Sequence, residues 1–385
     1  MRTPIVLAAA LPLALAACGG GSSSARSLNA AAPSSAALTL AVDGASPTAV
    51  PVTAAVTQTS TTTLPMPPLD ETCHPHLFVR TEALVDRLNR HLRKVLGRID
   101  HVLAAHPIAQ AGDTGTWEEI RDGVDVKFTV TRTGDTTYAW ELDVKTQGAA
   151  DFTKVFWGDI DRAGATGPHQ GSGDLTLDLT ALHTALPTEP AQGTMTATFD
   201  LGALSRKIVL DAAGVTWDRD GDLDADLPPI APRDAHYVWL REPGKGGSLV
   251  AADEMVFGCP ANPQLAAASV ELVSRWYVAG DGTVHGRSDA RMAGGQLAAT
   301  QQVLGVTCHA RPPSTEDAAE GFWMMKLEDA GAVVWARSSL TGDPAATACD
   351  PLLGAVPATD STQGDFDFSA VDFAGKDAYP FPGML

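Results

Sequence analysis

The chain has 385 residues, with 27 basic against 46 acidic side chains and a formal net charge of −19. Such a charge is repelled by nucleic acid, so a nucleic-acid partner is excluded on electrostatic grounds. Hydrophobic residues make up 44% of the chain, enough for one large core or two smaller ones.

The first element is a leader. Residues 1–17, MRTPIVLAAALPLALAA, carry one early positive charge (Arg2), an apolar run from Ile5 and small residues at the end. That layout is a secretory signal, too short to span a bilayer as a mature helix. It ends in Leu15-Ala16-Ala17-Cys18, which resembles the lipobox of bacterial lipoproteins. The resemblance implies a diacylglycerol on the Cys18 sulfur, cleavage just before it, and acylation of the new amino group, with palmitate-type chains. Three buried acyl chains make such an anchor effectively permanent. Gly19 follows where an Asp would imply retention in the inner membrane. The expected location is therefore the outer membrane of the cell envelope, on its periplasmic or surface side.

Residues 18–72 come next. From Gly19 to Thr72 there is no aromatic residue, and Arg26, Asp43, Asp70 and Glu71 are the only charges. A segment so poor in apolar bulk does not offset its ordering entropy, and it is expected to be a disordered Ser/Thr/Ala/Pro tether. Within it, ALTLAV (37–42) is a weak strand candidate.

The folded region is expected from residue 73. TEALVDRLNRHLRKVLGRIDHVLAA places Leu84, Leu88, Leu92, Val95, Ile99 and Val102 at three- and four-residue steps, which predicts one long amphipathic helix with Thr81 as its cap. Arg87, Arg90, Lys94 and Arg98 make its other face basic, suited to carboxylates of the protein's own sheet or to lipid headgroups. Past Gly115 the period changes to two. VDVKFTV and YAWELDV alternate around a Gly-Asp turn, and FTKVFWGDI, GDLTLDL, GTMTATFDL, RKIVLDA, HYVWLRE and EMVFG follow, with TALHTAL (180–186) as a short inserted helix. After CPANPQ, VELVSRWYVAGDGTVHGRSDARMAG reads as a hairpin, and QQVLGVTC, GFWMMKLED and AVVWARSS as strands. The expected fold is mainly antiparallel β with one long N-terminal helix (α+β), as a curved sheet, a half-barrel or two β sub-domains. Its units are a helix-plus-sheet domain over 73–258, a second β sub-domain over 259–354 and an acidic aromatic tail over 355–385. In element order this outline resembles the half-barrel of lipoprotein carriers, which implies a pocket for hydrophobic ligands.

Four cysteines remain after Cys18: Cys73, Cys259, Cys308 and Cys349. An even number in an exported chain predicts two disulfides. Of the three pairings that four cysteines allow, Cys308–Cys349 with Cys73–Cys259 is the expected one.

The densest chemical cluster is TWDRDGDLDADLPP, where Asp218, Asp220, Asp222, Asp224 and Asp226 alternate around Gly221. Calcium takes six to eight oxygens, and a Gly-turned loop of carboxylates supplies several. Aligned on the glycine, the first and twelfth positions of an EF-hand-type loop are Thr216 and Leu227, neither of them an acid, so a weak calcium site is expected. CHPH (73–76) lacks the spacing of a zinc site. The motifs GxSxG, HExxH and SxxK do not occur, and no catalytic residues are assigned. The expected role is a non-enzymatic binding or structural protein of the envelope, taking a protein, a glycan or a hydrophobic ligand. The alternatives are a hydrophobic-ligand carrier and a hydrolase with residues distant in sequence.

Overall fold

The structure is a computed structural model and describes residues 23–42, 77–104, 108–189, 191–216, 233–255, 268–295, 297–313 and 319–338. Two short helices open it, α1 (Ser23–Ala31) and α2 (Ser35–Leu38), followed by a long one, α3 (Leu77–Leu103). The first strands are β1 (Ala109–Ala111), β2 (Thr114–Arg121), β3 (Val124–Arg132), β4 (Thr137–Thr146), β5 (Thr153–Asp161) and β6 (Gly171–Asp178). Helix α4 (Leu179–Ala185) precedes β7 (Thr194–Leu201), β8 (Arg206–Val215), β9 (Arg233–Glu242) and β10 (Gly246–Met255). The last are β11 (Ala268–Val278), β12 (Val284–Ala293), β13 (Gln301–Arg311), β14 (Ala319–Asp329) and β15 (Ala332–Ser338).

Among the described residues all fifteen strands form one sheet in chain order, each antiparallel to the next. The cause is local. Short polar turns return the chain beside itself, as at Asp122-Gly123, where both residues take positive φ and match the right-handed twist of the flanking strands. One sheet stands where two β sub-domains were an alternative. The 258/259 boundary falls between β10 and β11, which pair from Gly246↔Tyr277 to Met255↔Ala268.

Alternation decides which face is covered. Val126, Phe128 and Val130 on β3, Trp140, Leu142 and Val144 on β4, and Met195, Ala197, Phe199 and Leu201 on β7 point inward and belong to one core with α3. Glycines make room for the largest of these rings. A Cβ on Gly158 would lie 2.6 Å from the Trp140 ring, and one on Gly247 would lie 2.5 Å from the Trp276 ring. Over β9–β14 the opposite face is buried as well, including Val238, Val250, Val273, Val306 and Met324.

Helix α3 lies across the inner face, its N-terminal part over β12 and β13 and its C-terminal part over β2 and β3. It starts one turn earlier than the sequence suggests. Leu77 and Phe78 are buried, and Phe78 stacks on His309 with ring centroids 3.6 Å apart. Thr81 is therefore inside the helix rather than its cap, and its hydroxyl donates to the Leu77 carbonyl at 2.9 Å. Of the basic face, Arg98 meets Glu189 at 2.7 Å, while the side chains of Arg87, Arg90 and Lys94 lie outside the described set.

Residues 23–42 correct the tether expectation. They form a strap antiparallel to α3, with Leu28, Ala31, Ala32, Leu38, Leu40 and Val42 all buried. Polar groups fix it along its length. Asn29 donates to the Leu103 carbonyl, Ser35 is bound through its backbone N–H and hydroxyl to the Asp100 carboxylate, and Trp239 Nε1 donates to the Ala41 carbonyl at 3.1 Å. The ALTLAV segment is thus one helical turn running into an extended piece, and no strand.

Candidate functional site

Most of the expected site residues, Cys18, Cys73, Cys259, Cys349 and Asp218, Asp220, Asp222 and Asp224, lie outside the described residues. Cys308 is described; it is fully buried on β13 and disulfide-bonded. Among the described residues no group of three or more His, Cys, Asp or Glu is placed to hold a metal ion.

What the fold does bring together is a buried polar row under the N-terminal half of α3. Inward alternation along β11 runs Val270, Leu272, Ser274, Trp276, so a serine falls where the pattern calls for an apolar side chain. Register then sets Ser274 against Ser288 on β12, and Ser288 against Thr307 on β13. Thr81 Oγ1 is 2.5 Å from Ser274 Oγ, which is 2.8 Å from Ser288 Oγ. A hydroxyl has one proton to give, and that of Thr81 goes to the Leu77 carbonyl. Ser274 must then donate to Thr81, and Ser288 to Ser274. Thr307 Oγ1 ends the row, buried with no hydrogen-bond partner among the described residues.

One residue pair further along, Gly286 stands opposite both Trp276 and His309. A Cβ there would lie 2.0 Å from the His309 ring, so only glycine admits the imidazole between β12 and Phe78. Arg311 covers Phe78 at 5.1 Å from the ring centroid and meets Glu82 at 2.8 Å. Burial raises the Glu82 carboxyl, with the Arg311 hydrogen bond and charge opposing; burial also lowers Arg80 to about 10.

The other face of the same three strands carries charge. Arg275 and Arg287 are cross-strand neighbours, and Asp289, completely buried, answers both. Arg287 donates through Nη2 at 2.8 Å and Nε at 3.0 Å, and Arg275 through Nη2 at 3.2 Å. Burial pushes the Asp289 carboxyl up while the two guanidiniums pull it down. Arg287 stands opposite the half-cystine Cys308. Chemically, both clusters position parts of the fold. The hydroxyl row and His309 register α3 on the sheet, and the Arg–Asp–Arg group fixes β11 against β12. Ser288 and His309, the nucleophile and base types of a hydrolase, are both sealed under the helix.

The sequence held a signal for these groups. Polar residues recurring at inward positions of β11, β12 and β13, together with Asn89 inside the apolar stripe of α3, mark buried hydrogen bonding. No family model matches the chain, and no curated protein or solved structure matches it.

Proposed function

We propose that the chain is a lipid-anchored lipoprotein of the bacterial envelope, held to the outer membrane through Cys18, with a β-rich body that binds or supports rather than catalyses. The observation that carries the reading is the lipobox Leu15-Ala16-Ala17-Cys18 directly ahead of an ordered strap. A covalently held body has no need of a charged surface to find the membrane, which fits a mature chain of 26 basic and 46 acidic residues, net −20 once Arg2 leaves with the leader. We read the open sheet around α3 as a half-barrel, and the Cys308 disulfide as formed with Cys349 in an oxidising compartment.

The experiment is detergent phase partition of the protein purified from a bacterial membrane fraction. The intact chain enters the detergent phase, and Cys18→Ser remains aqueous. Equal partition of the two would remove the anchor.

A second reading, carriage of a hydrophobic ligand, is favoured by the make-up of the strap. Its buried side chains are small or aliphatic, and they cover the inner face where an apolar ligand would lie. In that reading, the strap leaves when ligand enters.

A further inference from the structure

Taken with the lipid anchor, on which it rests, the strap decides how the body meets the bilayer. We propose that the rim of the sheet bearing the β3–β4, β5–β6 and β7–β8 turns faces the membrane, held within a short leash of it.

Three contacts place the strap on that rim. Leu28 lies against Gly115, the second residue of β2 and next to the Gly112-Asp113 turn. His169, in the β5–β6 loop, donates its backbone N–H to the Ala30 carbonyl at 2.8 Å, and its Nδ1 sits 2.7 Å from the Ala32 carbonyl. Arg206, the first residue of β8, donates to the Ala36 carbonyl. The strap therefore follows the strand ends on one side of the sheet. Its first helical residue, Ser23, is five positions from Leu28, roughly 8 Å along a helix.

Chain length does the rest. Five residue steps separate Cys18 from Ser23, and fully extended they reach at most roughly 18 Å. A free tether ending at residue 72 would instead hold the body at an r.m.s. distance of about 40 Å and leave it without orientation. The two rims are about 30 Å apart, the length of a nine-residue strand such as β3. A leash this short brings one rim to the headgroups and keeps the other away. Leu204, at the tip of the β7–β8 turn on the near rim, is 83% exposed and presents an apolar side chain suited to the interfacial layer.

The test uses the full lipidated protein in phosphatidylcholine vesicles containing a nickel-chelating lipid. A nitroxide is placed in turn at Asp135→Cys and Leu204→Cys on the near rim, and at Asp122→Cys on the β2–β3 turn of the opposite rim. Asp135 and Asp122 are both solvent-exposed, so their labels leave the core untouched. Nickel-induced relaxation should be severalfold stronger at positions 135 and 204 than at 122. Leu28→Asp, which frees α1 from Gly115, should abolish the contrast while the protein still floats with the vesicles. Flotation with equal or reversed signals, or a contrast that survives Leu28→Asp, overturns the rim assignment and leaves the anchor standing. Failure to float overturns both.

Discussion

Asn89 of α3 holds Leu40 of the strap by both of that residue's backbone groups, accepting from its N–H at 2.8 Å and donating to its carbonyl at 2.7 Å. A side-chain amide here does the work of a β-bridge in a place where no strand can pair. Both residues are buried, so neither backbone group has water as an alternative partner.

Asn89→Ala should therefore cost on the order of 2–3 kcal/mol, because it leaves two buried backbone groups unpaired. Hydrogen exchange of residues 35–42 should accelerate far more than that of β3 or β4. Denaturant unfolding combined with exchange checks it. Unchanged protection of the strap would show that Asn89 does not hold it.

Thr307 makes the opposite prediction. Its hydroxyl ends the row from Thr81 through Ser274 and Ser288, and is buried without a hydrogen-bond partner among the described residues. Thr307→Val keeps the shape and removes an uncompensated polar group, and should stabilise the protein by about 1 kcal/mol. Ser274→Ala, which breaks the row at its centre, should destabilise it. Thermal denaturation of the two variants decides, and a loss on Thr307→Val would contradict the reading of its hydroxyl as unpaired.

Glu82 gives a pH dependence. Burial raises its carboxyl above the ordinary value of 4.5 despite Arg311. The folded chain thus keeps this proton longer than the unfolded one, so its contribution to stability is full below about pH 4.5 and declines as pH rises through the raised value. Asp289, also raised by burial, acts in the same sense. Glu82→Gln should flatten the decline without removing it. Unfolding free energies measured from pH 4 to 7 test this, and an unchanged slope would contradict it.

The acidic run from Asp218 to Asp226 is the remaining candidate for a ligand. Calcium should raise the melting temperature of the intact protein, and Asp220→Ala should erase the rise. Absence of any calcium shift in the unmutated protein would end the proposal.

How much of this was legible follows from where the information resides. The strands from Val124 to Leu201 were plain because each hairpin buries one face and solvates the other, so period two survives in the residues. β2 gives no such signal because Thr114–Arg121 buries only Gly115 and Trp117, leaving too few apolar positions to show the period. β10 shows in the sequence only at its end, as EMVFG, because Gly246, Ser248, Ala251 and Ala252 are small and the strand is covered on both faces. The strap was hidden for a related reason. Its core residues are mostly alanine and leucine in a composition that resembles a linker, and what orders it are partners such as Asn89, Asp100 and Trp239, far away in sequence. The polar row was visible only after register had aligned Ser274, Ser288 and Thr307. Alternation tells which face a residue occupies, whereas its neighbour across the sheet depends on turn lengths.

The anchor depends on the chemistry of residue 18. Intact-protein and N-terminal peptide mass spectrometry of material extracted from bacterial membranes should find a mature chain starting at Cys18, carrying a diacylglyceryl thioether and an N-linked acyl group. A chain retaining residues 1–17, or one starting at Cys18 with an unmodified thiol, would contradict it.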